Sequence, residues 1–272
     1  MGSFATHSAK DLRAYAGPVQ PPTSVAQLLT LLTTEPGRPR LTWYGGGGER
    51  IELSGAVLAN WVAKTTNLLV EEFDAGPDVR IGLDLPAHWR TVVWALAAWR
   101  CGACVVVGDG VGGADVVVTD GPSRWTGAGE VIAVALPALA RRFDGELPAG
   151  AIDAAQAVMT YGDAVGWAPS VDLAAPALDS GDPDDAVHYG ALIAWAAGTR
   201  AGSGATEAPA GTRVLLGAGP GRSDDLVAML RRTLDLLARA GSVVLLDASK
   251  VAELASDPAR HERLIASERV TG

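Results

Sequence analysis

Lysine is almost missing from this 272-residue chain. It occurs only at Lys10, Lys64 and Lys250, although lysine and arginine together number 22. Acidic residues number 31, so the formal net charge is −9. So acidic a chain lacks the basic footprint that displaces counterions from a nucleic-acid backbone. It would also be repelled by an anionic bilayer surface. Neither nucleic acid nor membrane is therefore expected as a partner. The two cysteines, Cys101 and Cys104, cannot build a disulfide framework or complete a structural zinc site, and the four histidines show no ligand spacing. No metal is expected. The longest apolar stretch, around VVWALAAW, stops at Arg100, far short of the ~20 residues a membrane-spanning helix needs. No charged start followed by an apolar block marks a secretory signal, so the expected location is cytoplasmic. A nucleophile elbow, a Walker loop and an H-E-x-x-H motif are absent as well.

What is present is an alternation of apolar runs and amphipathic segments. Residues 1–22 mix small and polar residues and end in Pro21-Pro22, the composition of a flexible tail. Residues 23–272 read as one α/β domain. A short helix follows Ser24. LTWY and ERIEL flank four glycines, Gly45 to Gly48, which is a hairpin signal. Ser54 is placed to cap a helix whose apolar face runs through Val57, Leu58, Trp61, Val62, Thr65, Leu68 and Leu69.

VRIGLDL (79–85) reads as a strand and Pro86 as the start of a helix over 87–100, with Val92, Leu96 and Trp99 as its buried stripe. Gly102 stands where a left-handed cap ends such a helix. ACVVV, DVVVTD and EVIAVAL are near-continuous apolar runs, the signature of parallel strands covered on both faces. Residues 140–180 read as irregular. A helix over 184–197, TRVLL, a helix over 223–239, SVVLL and a last helix over 257–267 complete the pattern. The fold expected is a three-layer α/β arrangement with a mostly parallel sheet and helices on both faces.

Two glycine-rich stretches invite a nucleotide reading. Gly108, Gly110 and Gly113 form G-x-G-x-x-G after an apolar run. A dinucleotide fingerprint needs a helix to open on the third glycine, because that helix end supplies the N–H groups that hold pyrophosphate. Here DVVVTD follows at once, so the glycines read as a strand-to-strand connector. The second stretch, TRVLLGAGPGRSDDLVAMLRR, has strand, loop and helix in the right order. Gly219, Gly221, Arg222 and Ser223 are the candidate binding residues for an anion or nucleotide. Against them, Asp224 and Asp225 already place negative charge in the helix's first turn.

Four acids, Asp84, Asp109, Asp120 and Asp247, fall at or near strand ends, as ligand groups or as caps and turn residues. His88 beside Trp89 reads as a cap or a cleft-lining group. Cys101-Gly-Ala-Cys104 follows a helix C-terminus, where a thiolate is disfavoured, and reads as two buried small hydrophobes.

The order of these pieces resembles the opening of the adenylate-forming enzymes: acyl-CoA synthetases, nonribosomal peptide adenylation domains and luciferases. Leu53-Ser54, Leu85-Pro86 and Gly102-Ala103 stand at the matching steps, DVVVTD resembles the next strand, and AMLRRTLDLLARAGSVVLLD resembles a later helix–glycine–strand unit. The similarity runs over residues 40–272 and implies the first part of that family's large domain. The family's phosphate loop ending in Pro-Lys-Gly has only AAGTRAGSGATEAPAG in its place, without a lysine. Its later motifs and its C-terminal lysine domain have no counterpart, and none of its catalytic residues carries over.

The chain thus resembles shortened, degenerate relatives of these enzymes from high-GC bacteria. The resemblance implies a non-catalytic protein that uses no cofactor and acts through a protein partner, a homo-oligomer or a small ligand. The alternative is a nucleotide or acyl-ligand sensor, or a weak adenylate-forming enzyme completed by a separate chain.

Overall fold

The computed structural model describes residues 20–127, 129–181, 186–198, 209–219 and 223–272. Residues 1–19 of the expected tail, and Gly221 and Arg222 of the candidate loop, lie outside them. The first helix, α1 (Val25–Thr33), starts where Ser24 accepts the Gln27 N–H. The hairpin of β1 (Pro39–Tyr44) and β2 (Arg50–Ser54) turns on the four glycines. Ser54 then caps α2 (Gly55–Phe73) by accepting the Val57 N–H.

After β3 (Arg80–Asp84), α3 (Trp89–Cys101) ends on Gly102 in the left-handed conformation at φ 89°. It is followed by β4 (Cys104–Val106), β5 (Val116–Thr119) and β6 (Glu130–Ala133). The connector from β4 to β5 is a 3₁₀ turn over Gly108–Gly113. No dinucleotide helix opens there.

The segment expected to be irregular contains β7 (Ile152–Asp153), the four-residue helix α4 (Ala154–Ala157) and β8 (Pro176–Asp179). The helix expected from 184 begins later: β9 (Val187–His188) and a 3₁₀ turn come first, then α5 (Leu192–Gly198). β10 (Arg213–Gly217), α6 (Ser223–Ala238), β11 (Ser242–Leu246), α7 (Ala248–Ser256) and α8 (Pro258–Ser267) complete the chain.

The strands divide between two sheets. The smaller has the order β10-β11-β1-β2 and the larger β7-β6-β5-β3-β4-β8-β9. All pairs are parallel except β1–β2 and β8–β9. The α/β class with mostly parallel strands holds, but not as one open sheet. α3 shows why. It touches β1 of the smaller sheet and β3 and β4 of the larger, and it also packs on α1, α2 and α6. Every residue of α3 is buried except Arg100, so the expected one-sided stripe is instead apolar cover on all sides. Trp99 is anchored through Nε1–H to the Ala177 carbonyl at 2.8 Å, which ties α3 to β8.

Candidate functional site

The carboxyl ends of β1, β3, β6, β10 and β11 converge on a cleft of about 460 Å³. Trp43 comes from β1 and Pro86, Ala87 and His88 from the turn after β3. Leu136 and Pro137 follow β6, Ala218 and Gly219 follow β10, and Leu226 lies on α6. The walls are apolar, and three carboxylates stand among them: Glu49, Asp225 and Asp247. No lysine or arginine is among the described residues that line it.

His88 is the N-cap of α3 and is buried. Its Nδ1 accepts the Arg90 N–H at 3.1 Å. An accepting Nδ1 must be unprotonated, so the neutral ring carries its proton on Nε2. Burial, reinforced by the positive charge of Arg90, pushes the His88 pKa down to about 3. Its Nε2–H is directed at the Leu136 backbone, which favours the protonated ring, without forming a hydrogen bond of full geometry. The indole Nε1–H of buried Trp43 has no partner. The two rings meet edge to face with centroids 4.2 Å apart. Gly45 permits this placement, because a Cβ there would fall inside the Trp43 indole. Leaving a buried donor without an acceptor costs about 1–3 kcal/mol, and here the Trp43 indole is such a donor in a cleft residue.

The carboxylates differ in what they already hold. Asp247 caps α7: Oδ1 accepts from the Lys250 N–H at 2.6 Å and the Ser249 hydroxyl at 2.8 Å, and Oδ2 accepts from the Gly46 N–H at 2.9 Å. The same side chain therefore fixes the glycine turn of the hairpin. Glu49 accepts the Ala138 N–H at 3.0 Å. Asp225 lies against Gly219, where a Cβ would overlap its carboxylate. A carboxylate thus occupies the approach to the loop in which an anion was the candidate ligand.

Of the four candidate loop residues, Gly219 lines the cleft. Ser223 opens α6 with its side chain outside the described set, as Gly221 and Arg222 are entirely. Of the four strand-end acids only Asp247 reaches the cleft. Asp84 is taken up by Arg124 at 2.6 Å, the Thr119 hydroxyl at 2.8 Å and the Trp125 indole N–H at 2.8 Å. Burial opposes its ionisation, yet these donors together hold its carboxyl below the ordinary range. Asp120 pairs with the same Arg124 at 2.9 Å. Asp109 shares a smaller cavity of about 160 Å³ with Asp84. Cys101 and Cys104 are buried free thiols that burial pushes up to about 11, as expected of small hydrophobes. Among the described residues no cluster of three metal-ligating side chains forms, and no helix is long and apolar enough to cross a membrane.

No family model matches the chain. It is 36% identical over 262 residues to a TIGR03089 family protein of Mycobacterium tuberculosis, covering 91% of the chain and 96% of that relative. The chain belongs to the TIGR03089 family. Two solved structures show what fold this TIGR03089 family member adopts. Acetoacetyl-CoA synthetase from Streptomyces lividans matches 82% of the chain with TM-score 0.62 and 17% identity. Fatty acyl-adenylate ligase from L. pneumophila, solved with acyl adenylate and pyrophosphate, matches 92% with TM-score 0.62 and 11% identity. The TIGR03089 chain spans 38% and 44% of those two proteins. Its fold is therefore that of a part of the adenylate-forming ligases, in line with the resemblance of residues 40–272.

Proposed function

We propose that this protein is a non-catalytic binder that takes up a small ligand in the cleft between the two sheets. The observation that carries the reading is the unpartnered Trp43 Nε1–H beside the neutral His88 ring, in a mostly apolar cleft walled by carboxylates. Adenylate formation builds negative charge on transferring phosphate, and its catalysis rests on positive groups placed beforehand around that charge. The described lining residues offer the opposite sign. Lys64 and Lys250 are engaged elsewhere, with Asp163 at 2.9 Å and Glu253 at 3.0 Å. The ligand that suits such walls has an apolar body, a carbonyl-type acceptor for the Trp43 donor, and no net negative charge. A neutral acyl derivative has these properties, and a nucleoside triphosphate does not.

A thermal-shift panel of ATP, AMP, coenzyme A and neutral acyl amides and esters tests this. A ligand at ~100 times its dissociation constant stabilises by about 2.7 kcal/mol, a shift of about 5–10 °C for a chain of this size. We expect the shift with neutral acyl compounds and none with ATP, and we expect Trp43→Phe to diminish it. Release of pyrophosphate from ATP with any carboxylic acid would overturn the non-catalytic reading. A protein partner or a second copy of the chain is the second reading. It is supported by the large apolar side chains Leu139, Met159, Trp167 and Leu173, which are exposed to solvent. Size-exclusion chromatography across concentrations tests self-association.

A further inference from the structure

Arg90 is a charge without a counter-ion. It lies in the first turn of α3 and is 8% exposed. Its guanidinium stacks 4.3 Å from the Trp89 ring and 5.7 Å from that of Trp61. Among the described residues no carboxylate is within ion-pair distance, and its Nε–H has no acceptor. The acid whose field reaches it is Glu49, which spends a carboxylate oxygen on the Ala138 N–H.

Arg40, the other buried arginine, is the useful contrast. It is 0% exposed and its Nε–H also lacks an acceptor, yet its guanidinium donates to the Ala240 and Gly241 carbonyls and meets Glu35 at 3.4 Å. A buried cation held only by aromatic faces keeps an uncompensated charge, which is strongly unfavourable. Ring quadrupoles offset part of that and supply no in-plane acceptor.

Beside Arg90 lies a cavity of about 20 Å³. Trp61, Thr65, Trp89, Arg90, Ala135 and Ala154 are among the residues that line it, and no acidic residue is. The indole Nε1–H of Trp89 is a second buried donor without an acceptor. A single water-sized particle needs about this volume. None of these residues lines the cleft described above.

We propose that this cavity is a site for one small monovalent inorganic anion of chloride size, bound by the Arg90 guanidinium and the Trp89 indole N–H. A water molecule would fit the same space and accept from the donors, but it would leave the charge of Arg90 unneutralised. Gluconate is too large to enter.

The test compares melting temperatures in chloride, bromide and gluconate at equal ionic strength, for the wild type and Arg90→Met. Arg90→Met keeps the length of the stem and removes the charge. The wild type should melt about 2 °C higher in either halide than in gluconate, and the variant should lose that difference. Crystals of the wild type grown in bromide should show an anomalous peak beside Arg90, a readout that does not depend on how the variant folds. A water-filled cavity in bromide crystals, or a halide effect of equal size in both proteins, would overturn the proposal.

Discussion

Asp84 and His88 stand four residues apart, one ending β3 and the other capping α3, and the chain finishes the two corners in opposite ways. At Asp84 every strong donor nearby has an acceptor. Arg124, Thr119 and Trp125 all point at one carboxylate, and Asp120 takes up more of the Arg124 charge. At His88 the backbone cap is made and the ring leans on the Leu136 backbone, but the buried indole N–H of its neighbour Trp43 is left without a partner. Both corners lie on the edge where open α/β sheets bind ligands. The difference separates a corner that holds the fold together from one with binding capacity to spare. Acidity at a strand end is therefore a poor guide to a site, and unmet hydrogen-bonding capacity is a better one.

The largest effect that can sharpen this comparison is the titration of His88. Its folded pKa of about 3 lies below the ordinary 6.5. The unfolded chain therefore binds the extra proton first as pH falls. The associated stability is full above pH 6.5 and is lost progressively between pH 6.5 and 3, on the order of 5 kcal/mol in all. His88→Asn keeps an acceptor for the cap and removes the titration. Urea midpoints measured across that window should fall less steeply in the variant, and parallel slopes would show that the ring does not titrate as argued.

Next in size, Asp84→Ala should cost about 2–3 kcal/mol by leaving the Thr119 and Trp125 donors unmet. It should not alter ligand affinity in the cleft. A loss of affinity in calorimetric titration would erase the distinction between the two corners. Gly45→Ala should cost about 1–3 kcal/mol by forcing the Trp43 indole off its seat. Here a changed near-ultraviolet circular dichroism spectrum and weaker ligand binding should appear together. The smallest effect is expected for Asp247→Ala, about 1–2 kcal/mol for the lost cap and the Gly46 N–H left without its acceptor, read as a lower urea midpoint.

Much of the fold is legible in the sequence because it depends on neighbours in the chain. Ser24, Ser54 and Gly102 end their helices by local hydrogen bonds or a local left-handed residue, and all three act as their residue types predict. The division into two sheets is not legible. SVVLL and ACVVV are both continuous apolar runs, and nothing in either records that the first pairs with β1 and β10 and the second with β3 and β8. PALD and ASKVAELAS were hidden for another reason, since they are short and sit among turn-forming residues.

The site follows the same rule. His88, Gly219 and Asp247 could be marked as strand-end residues from their local setting. Trp43 could not, because its place in the cleft depends on β1 pairing with β11 some two hundred residues later. Arg90 reads as one more helical arginine until the rings of Trp61 and Trp89 close around it.

The two buried thiols give the molecule a clock of its own. Cys101 closes α3 and Cys104 opens β4, at the junction between the central helix and the larger sheet. Neither is exposed, and neither is a thiolate near neutral pH. An alkylating reagent can reach them only while that junction is open. The rate of labelling thus reports how often the centre of the protein comes apart, without any engineered probe.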